Sequence, residues 1–222
     1  MNRADRYPQY KNMYAVVKNL FDGTDFAHGP LDETYYTLRV FETAKKLCKR
    51  VKGCDERAIL VAAIFHDTGK VKLDPKKLFV KSRKKSRDEW HRHPLLSVSI
   101  ARHALKKLKH SKEFIDKVCY LVRWHDERAL KEKTLDLKVL QDADLLADSG
   151  MAGFIRPFAY SGKFKHQSLI GAIQFHIENK NRVAENGMLN LAITKKMARK
   201  KHALERKLIS IIAKDIESEL LR

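Results

Sequence analysis

Apolar residues recur at three- and four-residue spacing along almost the whole chain, and few segments alternate with period two. That spacing paints one apolar stripe on a helix and leaves the opposite face polar, so the chain is expected to fold as packed amphipathic helices. Tyr35, Leu38, Phe41, Ala44, Leu47 and Cys48 make one stripe, stopped by Lys52–Gly53. Ile59, Ala62, Ala63 and Phe65 make a second, which runs into a turn at His66–Gly69. Residues 88–108 read as one long helix with Leu95, Leu96, Ile100, Ala104, Leu105 and Leu108 inward. Phe114, Ile115, Val118, Cys119 and Val122 mark a fourth helix, and Leu137, Leu140, Ala143 and Ala147 a fifth. A final stripe holds Leu204, Leu208, Ile211, Ile212, Ile216 and Leu220. With 9 Gly and 5 Pro in 222 residues, no linker separates these elements. The expectation is an all-α fold, a single multi-helix bundle. An N-terminal segment (1–30) leads into a core (31–160), and C-terminal helices (161–222) pack on it.

Charge narrows the company such a bundle keeps. The chain carries 46 Lys+Arg against 27 Asp+Glu, a net charge of +19, which favours polyanions: nucleotides, other phosphate compounds or nucleic acid. No apolar run approaches the roughly 18 residues of a membrane span, so no membrane partner is expected. The N-terminal residues lack the apolar stretch of a secretory signal. Cys48, Cys54 and Cys119 match neither a disulfide framework nor a zinc ribbon, which points to a reducing cytoplasm. Oligomeric state is left open.

Several histidines and aspartates sit at marked places in this pattern. His66–Asp67 stands where an apolar helix meets a glycine turn (IFHDTGK). His91 and His93 lie in EWHRHP, His125 in RWHD, and Asp142 and Asp144 in LQDADLLAD. Neutral imidazoles with carboxylates suit zinc, manganese, iron and, with more oxygen ligands, magnesium. The absence of thiolates from the set argues against a structural zinc site. A carboxylate can also bridge two metals, and two metals about 3.5–4 Å apart would clamp the attacking and leaving oxygens of a phosphoester.

HDTGK after an apolar helix, with AD in a later helix, resembles the HD-domain superfamily of metal-dependent phosphohydrolases. The order His66–Asp67, His93–Pro94, His125 and Asp144 is similar to its dinuclear branch, including the HD-GYP core, although no GYP motif is present. The segment KVLQDADLLADSGMAGFIRPFAYSG and the tail LAITKKMARKKHALERKLISIIAKDIESEL resemble the compact stand-alone HD hydrolases. The resemblance spans roughly residues 32–220. It implies one or two divalent cations (Mn, Fe, Ni, Zn or Mg) on His66, Asp67, Asp144, His93 and His125, with Asp67 bridging. Two residues on a helix point roughly 200° apart, so Asp144 is favoured as the ligand and Asp142 as its support. Lys70 matches the family's HDxGK lysine. Asp67 and Lys70 are then the catalytic pair, and Lys70 meets a phosphate oxygen as a point charge.

The chain departs from the family where it usually opens with H-x-x-R-V. Here the segment reads Tyr36-Thr37-Leu38-Arg39-Val40, so Tyr36 stands where a ligand is expected, with Arg39 as the motif's arginine. Tyr36 ligates as a phenolate, His28 reaches in from upstream, or that metal position goes unused. Trp124–His125 likewise stands where the family often has His-His. Residues 70–92 hold ten Lys/Arg and three Asp/Glu beside the presumed metal, with Lys81, Arg83, Lys84 and Lys85 as candidate substrate contacts. A second basic cluster, Lys195 to Lys207, reads as a solvated face. His91 is expected on the surface, and His103, His110, His166, His176 and His202 at the surface or in packing. The implied activity is hydrolysis of a phosphate ester or anhydride, with a nucleotide as the favoured substrate, through metal-activated hydroxide. Two alternatives stand beside it. One is a nuclease or cyclic-nucleotide phosphodiesterase using the same site. The other is a degenerate HD fold that binds nucleotide or nucleic acid without cutting it.

Overall fold

The structure is a computed structural model that describes residues 8–24, 26, 33–78, 83–151, 153–156, 158 and 187–220. All regular structure among them is helical: α1 (Pro8–Phe21), α2 (Glu33–Cys48), α3 (Glu56–Phe65), a 3-10 segment (Thr68–Lys72), α4 (Pro75–Leu78), α5 (Arg83–Trp90), α6 (His93–Lys107), α7 (Lys112–Trp124), α8 (Leu135–Ala147) and α9 (Ala192–Leu220). The chain divides into two compact units, Met1–Asp144 and Leu145–Arg222. No helix among the described residues is long and apolar enough to cross a membrane.

In the first unit α3 is the central element. Every residue from Ala58 to Phe65 is buried, so this helix is apolar on all sides and must be surrounded. It packs against α1, α2, α6 and α7, while α6 also lies against α7 and the 3-10 segment. Each fully buried Leu, Ile or Phe here contributes roughly 1.5–3 kcal/mol. The start of α3 is pinned by Asp55, whose carboxylate accepts the Ala58 N–H at 3.0 Å. The Asp55 N–H in turn donates to Asp136 at 2.8 Å, and Lys117 bridges both carboxylates. A rigid, anchored α3 therefore delivers His66 and Asp67 at its far end.

Three details differ from the sequence reading. The stretch 88–108 is not one helix: α5 ends at Trp90 and α6 begins at His93. Pro94 has no N–H for the Trp90 carbonyl, and its ring would clash there, so the helix breaks. The buried face of α6 runs through His93, Ser97, Ala101 and Ala104, so Leu95 faces outward and is 58% exposed. On α2 the buried face runs through Glu33, Tyr36, Thr37, Val40, Phe41, Ala44 and Leu47, leaving Tyr35 exposed. The stripe is rotated by the inward pull of Tyr36, whose hydroxyl bonds Asp144.

The second unit gives the third difference. Leu204 and Ile211 of α9 are exposed, and the buried face carries Thr194, Ala198, His202, Glu205 and Ile209. This face is partly polar because it satisfies the end of another helix. Lys201 Nζ donates to the carbonyls of Leu146 (2.7 Å) and Ser149 (3.2 Å), and Glu205 accepts the Gly150 N–H. Lys196, Arg199, Lys200, Arg206 and Lys207 are exposed, as expected of a solvated face.

Candidate metal centre

Three histidines are placed by one local device. A helix leaves its last carbonyls without N–H partners. His66 follows the end of α3 and donates from Nδ1 to the Ala63 carbonyl at 2.8 Å. His125 follows the end of α7 and donates from Nδ1 to Val122 at 2.8 Å. His93 sits at the break made by Pro94, and its Nδ1 takes the Trp90 carbonyl. In each case the ring is bonded to the carbonyl three residues back. With the proton on Nδ1, the lone pair lies on Nε2, the tautomer a metal ligand requires.

All three Nε2 atoms point at Asp67. His66 Nε2 lies 3.1 Å from Oδ2, His93 Nε2 3.2 Å from Oδ1, and His125 Nε2 3.5 Å from Oδ1. His93 and His125 bring their Nε2 atoms within 3.2 Å of each other. Asp67, the three histidines and Lys70 are buried. The 3-10 segment that follows Asp67 lies so close to α6 that a Cβ at Gly69 would overlap the His93 carbonyl and the Ser97 N. The Gly69 N–H uses this approach to donate to Ser97 Oγ at 2.8 Å.

Electrostatics couple these groups strongly. Burial by itself lowers the pKa of His66, but the negative charges of Asp67 and Asp144 outweigh it and raise it to about 10. Burial pushes the Asp67 carboxyl up, yet His66 and Lys70 hold it well below the usual carboxylate range. His125 moves the other way: burial, aided by the nearby His66 and His93, lowers it. His66 Nε2 is buried near two carboxylates without an aligned hydrogen bond to either. Two imidazole lone pairs at 3.2 Å repel unless a positive charge lies between them. Donor chemistry and the orphaned Nε2 therefore both fit a divalent cation. Ligating atoms of His66, Asp67 and His125 lie within 4.8 Å of one another.

Lys70 and Asp144 complete the surroundings. Lys70 Nζ donates to Asp67 Oδ2 at 2.6 Å and to Glu33 Oε2 at 3.1 Å. Its ammonium lies 5.6 Å from the Tyr36 ring centroid and 5.4 Å from that of Trp90. Asp144 Oδ1 is 3.5 Å from His66 Nε2 and accepts the Tyr36 hydroxyl at 2.6 Å. Its Oδ2 accepts from Arg128 at 3.1 Å. Burial opposes its ionisation, but His66 and Arg128 drive its pKa far down. The Arg39 guanidinium lies over the Tyr36 ring, 5.9 Å from its centroid.

The sequence reading did not include Glu33, Arg128, Trp90 or Gln141. Gln141 donates from Nε2 to the carbonyls of Trp124 and Glu127, both at 2.9 Å, and so secures the turn that carries His125 and Arg128. A glutamine before the AD element was the available signal. Asp142 is buried as well, two residues from Asp144 along α8. Lys84 and Lys85 are exposed on α5, and His91 is exposed at its end. His28 and Lys81 lie outside the described residues, as do His166, His176 and the side chain of Arg83.

Residues 35–148 match the HD domain family model. No curated protein matches the chain. Among solved structures, YpgQ of Bacillus subtilis is 22% identical, with 94% of this chain and 96% of that one covered at a TM-score of 0.68. YpgQ in complex with ADP covers 96% of this chain and 98% of its own, at 22% identity and a TM-score of 0.63. An HD-superfamily hydrolase of Bacillus thuringiensis is 20% identical, covers 95% and 97%, and has a TM-score of 0.66.

Proposed function

The chain belongs to the HD-domain family, and from that premise we propose that it is a metal-dependent phosphohydrolase acting on a phosphate ester or anhydride, with a nucleotide as substrate. The observation that carries this reading is the convergence of the Nε2 atoms of His66, His93 and His125 on the carboxylate of Asp67. The ligands of a divalent cation would be drawn from these four residues. When bound, the cation would supply Lewis acidity, polarising a phosphoryl oxygen and lowering the pKa of water.

The protein's own groups have separable tasks. The carbonyls of Ala63, Trp90 and Val122 fix the three rings, so the site is preorganised. Asp67 supplies negative charge at the centre, and Lys70 balances it from a position set by Glu33, Tyr36 and Trp90. A fixed ammonium there favours charge building up on a phosphoryl group. Exposed Lys84 and Lys85 on α5 add positive potential that draws an anion. The ADP complex of YpgQ supports a nucleotide as the substrate class.

The test is a metal-supplemented hydrolysis screen over nucleoside triphosphates, cyclic dinucleotides and short oligonucleotides, run beside Asp67→Asn. The expected result is turnover of a nucleotide that falls by about a thousandfold or more in the variant, the scale set by removing a key charge from an active site. An equally active variant overturns the reading. The net charge of +19 favours a longer polyanion as the second reading. Oligonucleotide binding that falls steeply with log salt would select it.

A further inference from the structure

We propose that this chain binds a single divalent cation, on the side of Asp67 shared by His93 and His125, and that Tyr36, Lys70 and Arg128 take over the other side. The inference rests on reading the cluster as a metal centre and deepens it. Asp67 turns different oxygens to different neighbours. Oδ1 faces His93 and His125 at 3.2 and 3.5 Å, and those two Nε2 atoms are 3.2 Å apart. Ligands about 2.0–2.1 Å from one metal are separated by about 3.0–3.4 Å, so these spacings suit a common ion. The Lys70 hydrogen bond to this carboxylate goes to Oδ2 rather than Oδ1.

The opposite side is furnished differently. Oδ2 accepts the Lys70 ammonium at 2.6 Å. Asp144 would be the second carboxylate of a metal there, but its Oδ1 accepts the Tyr36 hydroxyl and its Oδ2 the Arg128 guanidinium. Arg128 is itself anchored on the Gln141 carbonyl at 2.9 Å. Three protein donors thus answer the two carboxylates. A histidine at position 36 would offer a lone pair where the tyrosine hydroxyl donates a proton. Tyr36 and Arg128 are accordingly positioning residues that hold Asp144 as an acceptor beside His66 rather than as a ligand.

Calorimetric titration of the chelator-stripped full chain with Mn2+, with EPR spectra of the loaded protein, tests this directly. The wild type should take up one equivalent and give the spectrum of an isolated Mn2+ ion. His125→Ala should weaken binding by about a hundredfold or more, and Asp144→Asn by no more than about threefold. Tyr36→His should bind two equivalents and show exchange coupling between them. A wild type that binds two equivalents, or an Asp144→Asn protein that is folded by circular dichroism and no longer binds, overturns the proposal. A folded Tyr36→His protein that stays at one equivalent overturns the role given to Tyr36. Hydrolysis assays on the same samples keep the two readings apart, since one bound ion without turnover refutes only the phosphohydrolase.

Discussion

Single residues decide how tightly this centre is assembled, and Gly69 shows it most sharply. Its φ is ordinary; what it supplies is absence of bulk, because any Cβ meets the His93 carbonyl and the Ser97 N. Backbone cannot yield as a side-chain tip does, so Gly69→Ala should destabilise the protein by about 1–3 kcal/mol, the usual scale of overpacking. The same push should shift His93 from Asp67 and weaken Mn2+ binding. Urea denaturation and calorimetry check the two effects, and a stable variant with unchanged affinity would refute the account. The glycine is legible in HDTGK, as are His66, Asp67, His93 and His125, because each histidine is placed by a carbonyl three residues away. Glu33 and Arg128 are not legible that way. Glu33 meets Lys70 from 37 residues off and Arg128 meets Asp144 from 16, across turns no short pattern encodes.

Helices impose the next level of constraint, and the gap between α5 and α6 carries most of it. A continuous helix through 88–108 would spend the Trp90 carbonyl on residue 94. Pro94 removes that donor, and the His93 ring takes its place. Pro94→Ala restores a backbone N–H that competes with His93 Nδ1. Metal affinity should then fall about 10–100-fold, the usual effect of losing the group that orients a ligand, while helical content is kept or rises slightly. Calorimetry and circular dichroism read the two quantities, and unchanged affinity would sink the explanation. Periodicity reports the helices well, since α2, α3, α7 and α8 each follow an apolar stripe. It misjudges which face is inward wherever a polar residue has a task inside. Tyr36 turns α2, and on α9 the buried Glu205 takes the place that Leu204 would hold.

On the scale of the whole molecule, a net charge of +19 accompanies a centre built from buried charges, and acid separates the two. Asp67 and Asp144 are both held below the roughly 3.9 of an aspartate in an unfolded chain. Above about pH 5 both states leave these groups ionised, and the stability they contribute is fully present. As pH falls below that value the unfolded state binds protons first, so this stability is lost progressively towards the folded-state pKa values. Surface carboxylates are protonated over the same range, so net positive charge and its self-repulsion grow together with the loss. Salt tells them apart: repulsion between exposed charges is screened within about 8 Å at 0.15 M, whereas buried pairs are screened much less. The denaturation midpoint of the metal-free protein should therefore drop between about pH 5 and pH 3, and about 0.5 M NaCl should recover only part of the drop. In Asp67→Asn the part that salt cannot recover should shrink. Full recovery by salt in the wild type would assign the entire loss to surface repulsion and remove the buried carboxylates from the account.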